Sequence, residues 1–453
     1  MKRVFAILLI SILGVYSIDI GKISKLRANN PLILTDLSPN EVRAKSSVKL
    51  PGMEDLESYA GFFRVNKSSD GCLFMWYFPA LNKNLAAPVL LWLQGGPGAP
   101  SVYAIFVENG PIVIDKNGDP SRREINWVKN FNVLYIDNPV GTGYSFVRDK
   151  DGLSTNENQV ADNLYEAMLQ FFRLFGYKKN EFYITGESYA GKYVPALAYK
   201  IHTSNPTAEF KINFRGVAIG NGLVDPQNQL PHYGALLYAN GLIDSNQKDY
   251  IDRQTLDAAQ MIRDGDYYRA FQIFDFLLNG DIFKYPTYFQ NATGCNFYFN
   301  ILHCTAPPEM DYYLKYISRS GVREAIHVGN EPFKTDLTVE LAIVNDIMQS
   351  MAKNLSVIMD NYKVMLYNGN LDLIVGTILT EGFLNVLNWT KSAEYKQAKR
   401  TPWKPYPSDT DIAGYIRRVG DFHQVSIRNA GHMVPYDQPR VAFELINNFI
   451  TNP

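Results

Sequence analysis

Glu181-Phe-Tyr-Ile-Thr-Gly-Glu-Ser-Tyr-Ala-Gly191 decides the fold. A short apolar strand, 182–184, runs into Gly186-Glu187-Ser188-Tyr189-Ala190-Gly191, and a helix-like stretch follows. This is the strand–turn–helix setting of a nucleophile elbow, in which a sharp bend lifts a serine out of the chain. Residues two before and two after the serine must be small, because larger side chains would collide across the turn. Gly186 and Ala190 meet that need, and Ser188 is the candidate nucleophile.

Outward from the elbow, apolar runs of strand length recur at 59–65, 72–78, 89–93, 133–136, 217–219, 364–367 and 425–427. Each ends in a turn rich in Gly, Pro, Asn or Asp. The first two read as a hairpin, and several of the rest are apolar throughout, as strands covered on both faces are. Helical patterns fall between them. In 158–175, Val160, Leu164, Ala167, Met168, Phe171 and Phe172 share one face, and 441–450 gives a terminal amphipathic helix. The alternation predicts a mostly parallel α/β sheet flanked by helices. From about 225 to 360 the rhythm breaks, with a helical reading over 247–276 and then irregular chain. Such a stretch between two core strands reads as a helical cap inserted into one domain, 51–453.

A serine is a poor nucleophile until a base and an orienting carboxylate act on it. Elbow enzymes place these later in the chain, acid first and histidine last. His432 follows the strand-like 425–427 in Asn-Ala-Gly-His-Met-Val-Pro435, in the last loop before the terminal helix. Asp372 closes Val364-Met-Leu-Tyr-Asn-Gly-Asn-Leu-Asp372, another strand running into a Gly/Asn turn. An oxyanion hole needs the backbone N–H after the nucleophile, that of Tyr189, and a second from an early loop. Trp92-Leu-Gln-Gly-Gly-Pro-Gly98 is the candidate for that loop.

The bulk properties set limits. Apolar residues make up 46% and charged residues 20%, a globular balance, and the 13% aromatic share suits a wide cleft as well as a core. A formal net charge of −1 provides no field to hold a polyanion, so nucleic acid is excluded as a partner. Lys2-Arg3 followed by the apolar run 4–16 reads as a signal peptide over 1–17, too short to span a bilayer. Residues 18–50 read as a propeptide or N-terminal arm. Sequons at Asn66, Asn291, Asn354 and Asn388 fit a secretory route to an extracellular or lysosomal destination. Of three cysteines, Cys295 and Cys304 are close enough in sequence to close a short loop, and Cys72 reads as a buried thiol.

Taken together, Trp92–Gly98, Gly186-Glu-Ser-Tyr-Ala-Gly-Lys-Tyr-Val-Pro195, Tyr367-Asn-Gly-Asn-Leu-Asp372 and Gly431-His-Met-Val-Pro-Tyr-Asp-Gln-Pro439 resemble the serine carboxypeptidase family of α/β-hydrolases. Gln94 and Asp137-Asn-Pro-Val-Gly-Thr-Gly-Tyr-Ser145 look most like its vitellogenic-like branch. The resemblance implies Ser188, Asp372 and His432 as a catalytic triad, with Gly96 and Tyr189 as oxyanion donors. It further implies that Glu187 and Glu108, with Trp92, Gln94 and Gly95, bind the substrate's terminal carboxylate. Carboxyls crowded in this way share protons, so peptidase activity at acid pH is expected. The implied partner is a peptide or protein with a free C-terminus, with a homodimer left open; no cofactor or metal is implied. A Cys295–Cys304 disulfide is what remains of the family's cysteine framework. Two departures stand out: Gln94 where many members have Asn, and Ala99-Pro100 after the glycine loop. An acyltransferase or esterase of the same fold, or a non-catalytic protective or binding partner, are the alternatives.

Overall fold

The computed structural model describes residues 30–283 and 285–451. The expected signal peptide, and residues 18–29 of the segment after it, lie outside them. Twelve strands are present among these residues: β1 (Tyr59–Asn66), β2 (Gly71–Phe78), β3 (Val89–Leu93), β4 (Ile112–Ile114), β5 (Pro120–Arg122), β6 (Asn132–Ile136), β7 (Phe182–Glu187), β8 (Phe214–Gly220), β9 (Lys363–Gly369), β10 (Thr401–Trp403), β11 (Gly414–Val419) and β12 (Phe422–Ile427). Ten of them form one sheet in the order β1-β2-β6-β3-β7-β8-β9-β12-β11-β10, and β4 and β5 make a separate ribbon. The run from β6 to β12 is parallel throughout, whereas β1-β2, β2-β6, β12-β11 and β11-β10 are antiparallel.

The apolar runs explain why the sheet is buried. Every residue of β2, β3, β6 and β7 is buried. The period of two sends Leu73, Met75 and Tyr77 into one core and Phe74, Trp76 and Phe78 into the other. Helix Glu157–Phe175 covers the first face. It starts where the Asn156 side chain accepts from the Gln159 N–H and stops at Gly176, which takes a left-handed φ of 81°. The terminal helix Pro439–Thr451 covers the second face with Val441, Leu445 and Phe449.

Between β8 and β9 the described chain contributes no strand to either sheet. The helix expected over 247–276 is in fact two, Ser245–Arg263 and Tyr267–Phe274, followed by a π turn at Asp275–Asn279. Asp264-Gly265-Asp266 breaks it: Gly265 turns left-handed, and the Asp266 side chain caps the second helix by accepting from Arg269 N–H. At the N-terminal side, residues 30–50 pack into the body, with Leu34, Val42, Val48 and Leu50 buried and bridges Ile33–Phe62 and Ser47–Tyr59 to β1.

The topology gathers chemistry at one edge. β3, β7, β8, β9 and β12 are successive neighbours, and their carboxyl ends deliver Gln94, Ser188, Asn221, Asp372 and His432 to the same side of the sheet.

Candidate active site

Ser188 sits between β7 and helix Ala190–Ser204 with φ 64°, a left-handed conformation for a residue with a side chain. Such a conformation costs about 1–3 kcal/mol and persists where its surroundings hold it. Here the Ser188 N–H donates to Gly220 O at 2.9 Å, and the Ser188 carbonyl accepts from Gly191 N–H at 2.9 Å and Leu223 N–H at 3.0 Å. The small-residue requirement is visible in the packing. A Cβ on Gly186 would lie 2.8 Å from Ala190 Cβ and 2.7 Å from Leu93 O.

Asp372 is fully buried and its carboxylate is saturated with donors. Oδ1 accepts from Ile374 N–H at 2.9 Å. Oδ2 accepts from Asn221 Nδ2 at 2.6 Å and Val375 N–H at 3.2 Å, and lies 2.8 Å from His432 Nδ1. An acceptor-only carboxylate at Nδ1 fixes the tautomer with its proton there, leaving Nε2 as the free base. His432 Nε2 is buried and has no hydrogen-bond partner among the described residues.

The glycine loop closes onto the elbow. A Cβ on Gly95 would lie 2.5 Å from Tyr189 N and 2.7 Å from Ser188 Cβ, so only glycine lets the two backbones touch. Neither Gly96 N–H nor Tyr189 N–H donates to another described residue. The turn is held by Ala99 N–H donating to Gly95 O at 3.1 Å and by Gln94 N–H donating to Ser101 Oγ at 3.0 Å. Pro100 has no amide hydrogen, and neither bond requires one from it.

Beside Ser188 two buried carboxyls face each other, Glu187 at the end of β7 and Glu108 after the helix Val102–Val107. Trp92 Nε1 donates to Gln94 Oε1 at 2.9 Å, which turns the Gln94 amide so that its Nε2 donates to Glu187 Oε1 at 3.2 Å. Glu108 leans on Glu187 and Gln94, and beyond these both its oxygens and Oε2 of Glu187 have no partner among the described residues. Burial pushes the Glu108 carboxyl up to about 7. Burial, then repulsion from Glu108 and Asp372, holds Glu187 far above the usual carboxylate range. The proton-sharing expected of this pair has a physical cause here: two acids buried side by side, where burial outweighs the pull of Arg123 on Glu108.

A pocket opens from Ser188 and Tyr189 between Leu223, Tyr233, Phe271 and Phe274, with Asn279 and Glu340 also lining it. Asn279 Nδ2 lies 3.4 Å from Glu340 Oε1. Burial, then Asp281 and Asp275, raise the Glu340 carboxyl to about 8.

A family model described as serine carboxypeptidase matches residues 49–452. The chain belongs to the serine carboxypeptidase family. It is accordingly a serine-type carboxypeptidase, and neither the transferase or esterase reading nor the non-catalytic one is favoured. The sequence is 50% identical over 401 residues to the probable serine carboxypeptidase CPVL of Homo sapiens, covering 88% of this chain and 84% of that protein. It is 45% identical to the venom serine carboxypeptidase of Apis mellifera, covering 94% and 92%. Identity to the vitellogenic carboxypeptidase of Aedes aegypti is 41%, covering 93% and 90%. Among solved structures, the prohormone-processing carboxypeptidase KEX1(delta)P of Saccharomyces cerevisiae shares the fold with TM-score 0.79 at 22% identity, over 90% of this chain and 96% of that one.

Several residues at the site of this serine carboxypeptidase were not singled out by sequence reasoning. Asn221 had a signal, since Gly220-Asn221-Gly222 ends a strand in a turn. Phe299, whose ring lies 4.9 Å from the His432 imidazole, and Asn279 and Glu340 had none, because all three come from the segment between β8 and β9. Cys295 and Cys304 are joined in a disulfide, and Cys72 is a buried thiol. Asn291 and Asn388 are exposed, and Asn66 and Asn354 are half-buried.

Proposed function

We propose that this serine carboxypeptidase releases single C-terminal residues from peptides at acid pH through an acyl-enzyme, with Ser188 as nucleophile, His432 as base and Asp372 as its orienting acid. His432 Nε2 takes the Ser188 hydroxyl proton as Oγ attacks the carbonyl carbon of the last peptide bond. The oxyanion that forms is held by the N–H groups of Gly96 and Tyr189, which have no other work in the fold. His432 then gives its proton to the leaving amine and the terminal amino acid departs. Water, deprotonated by the same nitrogen, releases the shortened peptide and restores Ser188.

The observation that carries the exopeptidase reading is the Glu187–Glu108 pair, buried beside Ser188, with three oxygens that have no described partner beyond each other and Gln94. Neutral, these carboxyls donate hydrogen bonds to a carboxylate; ionised, they repel it. Gln94 holds Glu187 in place through the Trp92 relay, and Gly95 lets the loop that carries Gln94 close onto the elbow. With Glu108 raised to about 7, the pair stays neutral at acid pH and loses its affinity for the substrate terminus above neutrality.

A secretory route, with glycans at Asn66, Asn291, Asn354 and Asn388, is supported by exposure at Asn291 and Asn388 and by the disulfide. No described helix is long and apolar enough to cross a membrane.

The test is a blocked dipeptide presented at pH 5 with either a free or an amidated C-terminus. The free acid should lose its last residue at least about 100-fold faster, as two charge-assisted hydrogen bonds warrant. Ser188→Ala should lower kcat by roughly 10⁴- to 10⁶-fold. Equal cleavage of the amide would remove the role given to Glu187 and Glu108, and an unimpaired Ser188→Ala enzyme would remove Ser188 as nucleophile.

A further inference from the structure

The loop closed by Cys295 and Cys304 lies against both partners of Ser188. Its backbone forms three hydrogen bonds to the acid and base turns. His432 N–H donates to Phe299 O at 2.6 Å, Leu373 N–H donates to Tyr298 O at 3.1 Å, and Ile301 N–H donates to Leu371 O at 2.9 Å. Leu371 and Leu373 flank Asp372, so one short loop grips both sides of the acid and the base itself. The side chains repeat the pattern. Phe299 lies on the imidazole with ring centroids 4.9 Å apart and an interplanar angle of 31°. Asn300 Nδ2 donates to Asp437 Oδ2 at 3.1 Å, and the same oxygen accepts from Gly431 N–H at 2.6 Å, one residue before the base. There is no slack in the contact, since a Cβ on Gly431 would stand 2.3 Å from Phe299 O.

We propose that the 295–304 loop positions His432 against Asp372, with Phe299 as its positioning residue, and that catalysis therefore depends on the Cys295–Cys304 bond. The inference rests on His432 being the base. The loop has no strand partners of its own among the described residues. Its two ends are joined by the disulfide and an Asn296 N–H to Cys304 O bond of 3.0 Å, while the bonds of His303 N–H to Asn300 O and Leu302 N–H to Asn300 Oδ1, both 3.0 Å, only shape the turn between them. Opening the disulfide releases chain entropy precisely where three backbone bonds must hold two turns in register. Cys304 is exposed and Cys295 is half-buried, so a small thiol reaches the bond from the Cys304 side. In that exchange a thiolate attacks Sγ of Cys304 and the Cys295 sulfur leaves and takes a proton. A second thiol then resolves the mixed disulfide, so that two reductant thiols become one disulfide and both cysteines become thiols.

The experiment treats the folded enzyme with dithiothreitol, alkylates it, and locates the labels by mass spectrometry while kcat and KM are followed on the free-acid dipeptide. With Cys295 and Cys304 both labelled, kcat should fall roughly 10- to 100-fold, as expected for a base displaced by about 1 Å. KM should change less than about twofold because no described hydrogen bond joins the loop to Glu187 or Glu108, and reoxidation should restore kcat. The Cys295→Ser/Cys304→Ser enzyme should show the same low kcat and no response to reductant. If both thiols are labelled and kcat stays within twofold, the proposal fails. Should the double variant unfold, Phe299→Ala with the disulfide intact carries the test: lower kcat at constant KM supports positioning, and unchanged kcat overturns it. His432→Ala, assayed oxidised, separates the two readings, because retained activity there would sink the assignment of the base rather than that of the loop.

Discussion

Two buried ionic clusters flank Ser188 in sequence, and they are built on opposite principles. On the C-terminal side, Lys192 is fully buried and its ammonium is satisfied. It donates to the Asp346 backbone carbonyl, to Asp346 Oδ2 at 2.9 Å and to Ile347 O at 3.3 Å. Those acceptors lie at the end of helix Thr338–Ile347, so the pair ties that helix to the one carrying the elbow. On the N-terminal side, Glu187 and Glu108 are as deeply buried, yet apart from each other and Gln94 three of their four oxygens have no partner among the described residues. A buried polar group without a partner costs about 1–3 kcal/mol. A satisfied pair serves the fold; an unsatisfied pair of acids is kept for a guest.

The contrast breaks most visibly at Lys192. Lys192→Met strands the Asp346 carboxylate and should cost about 3–5 kcal/mol, read from the urea midpoint at pH 6. A midpoint that does not move would show that both clusters are equally dispensable to the fold. Next in size, Glu108→Ala combined with Glu187→Ala should leave that midpoint unchanged or higher and raise KM for a free-acid substrate about 100-fold. A collapse of stability would place this pair in the same class as Lys192.

The pH response sharpens the distinction. Glu108 titrates near 7, so kcat/KM should drop about tenfold per unit above that pH as the pair becomes anionic. Glu108→Gln keeps a neutral donor at every pH, and its profile should lose this limb. A pH slope in stability rather than in catalysis is expected at Glu157, buried beside Lys192 and pushed up by burial from 4.5 to about 8. Its folded pKa lies above its unfolded one, so its contribution is fully present below about 4.5 and is lost as pH rises through about 8. The slope is about 1.4 kcal/mol per pH unit over that window. Glu157→Gln should flatten this part of the stability curve, measured by urea unfolding between pH 5 and 8.

Legibility followed sequence distance. The elbow announces itself because Gly186, Ser188 and Ala190 act on one another across four residues. Asp372 and His432 were legible from strand ends and chain order, and Glu187, Glu108, Trp92 and Gln94 only through resemblance. Asn221 contacts Asp372 across 151 residues, and no local pattern encodes that. Strands β10 and β11 were missed because β10, with Pro402, is the edge strand and β11, with Arg417 and Arg418, lies next to it, where the apolar run that betrays a central strand is absent. The helix read over 247–276 ran past Asp264-Gly265-Asp266, where turn chemistry outweighed apolar periodicity.

The left-handed backbone at Ser188 also restricts which element can carry out the attack. A β-branched residue is strongly disfavoured at φ 64°, so threonine, whose hydroxyl is chemically competent, is shut out by conformation. Cysteine has serine's unbranched shape and is not. The vocabulary of nucleophiles open to this site is therefore oxygen or sulfur on a bare methylene, and the backbone sets that limit before any chemistry begins.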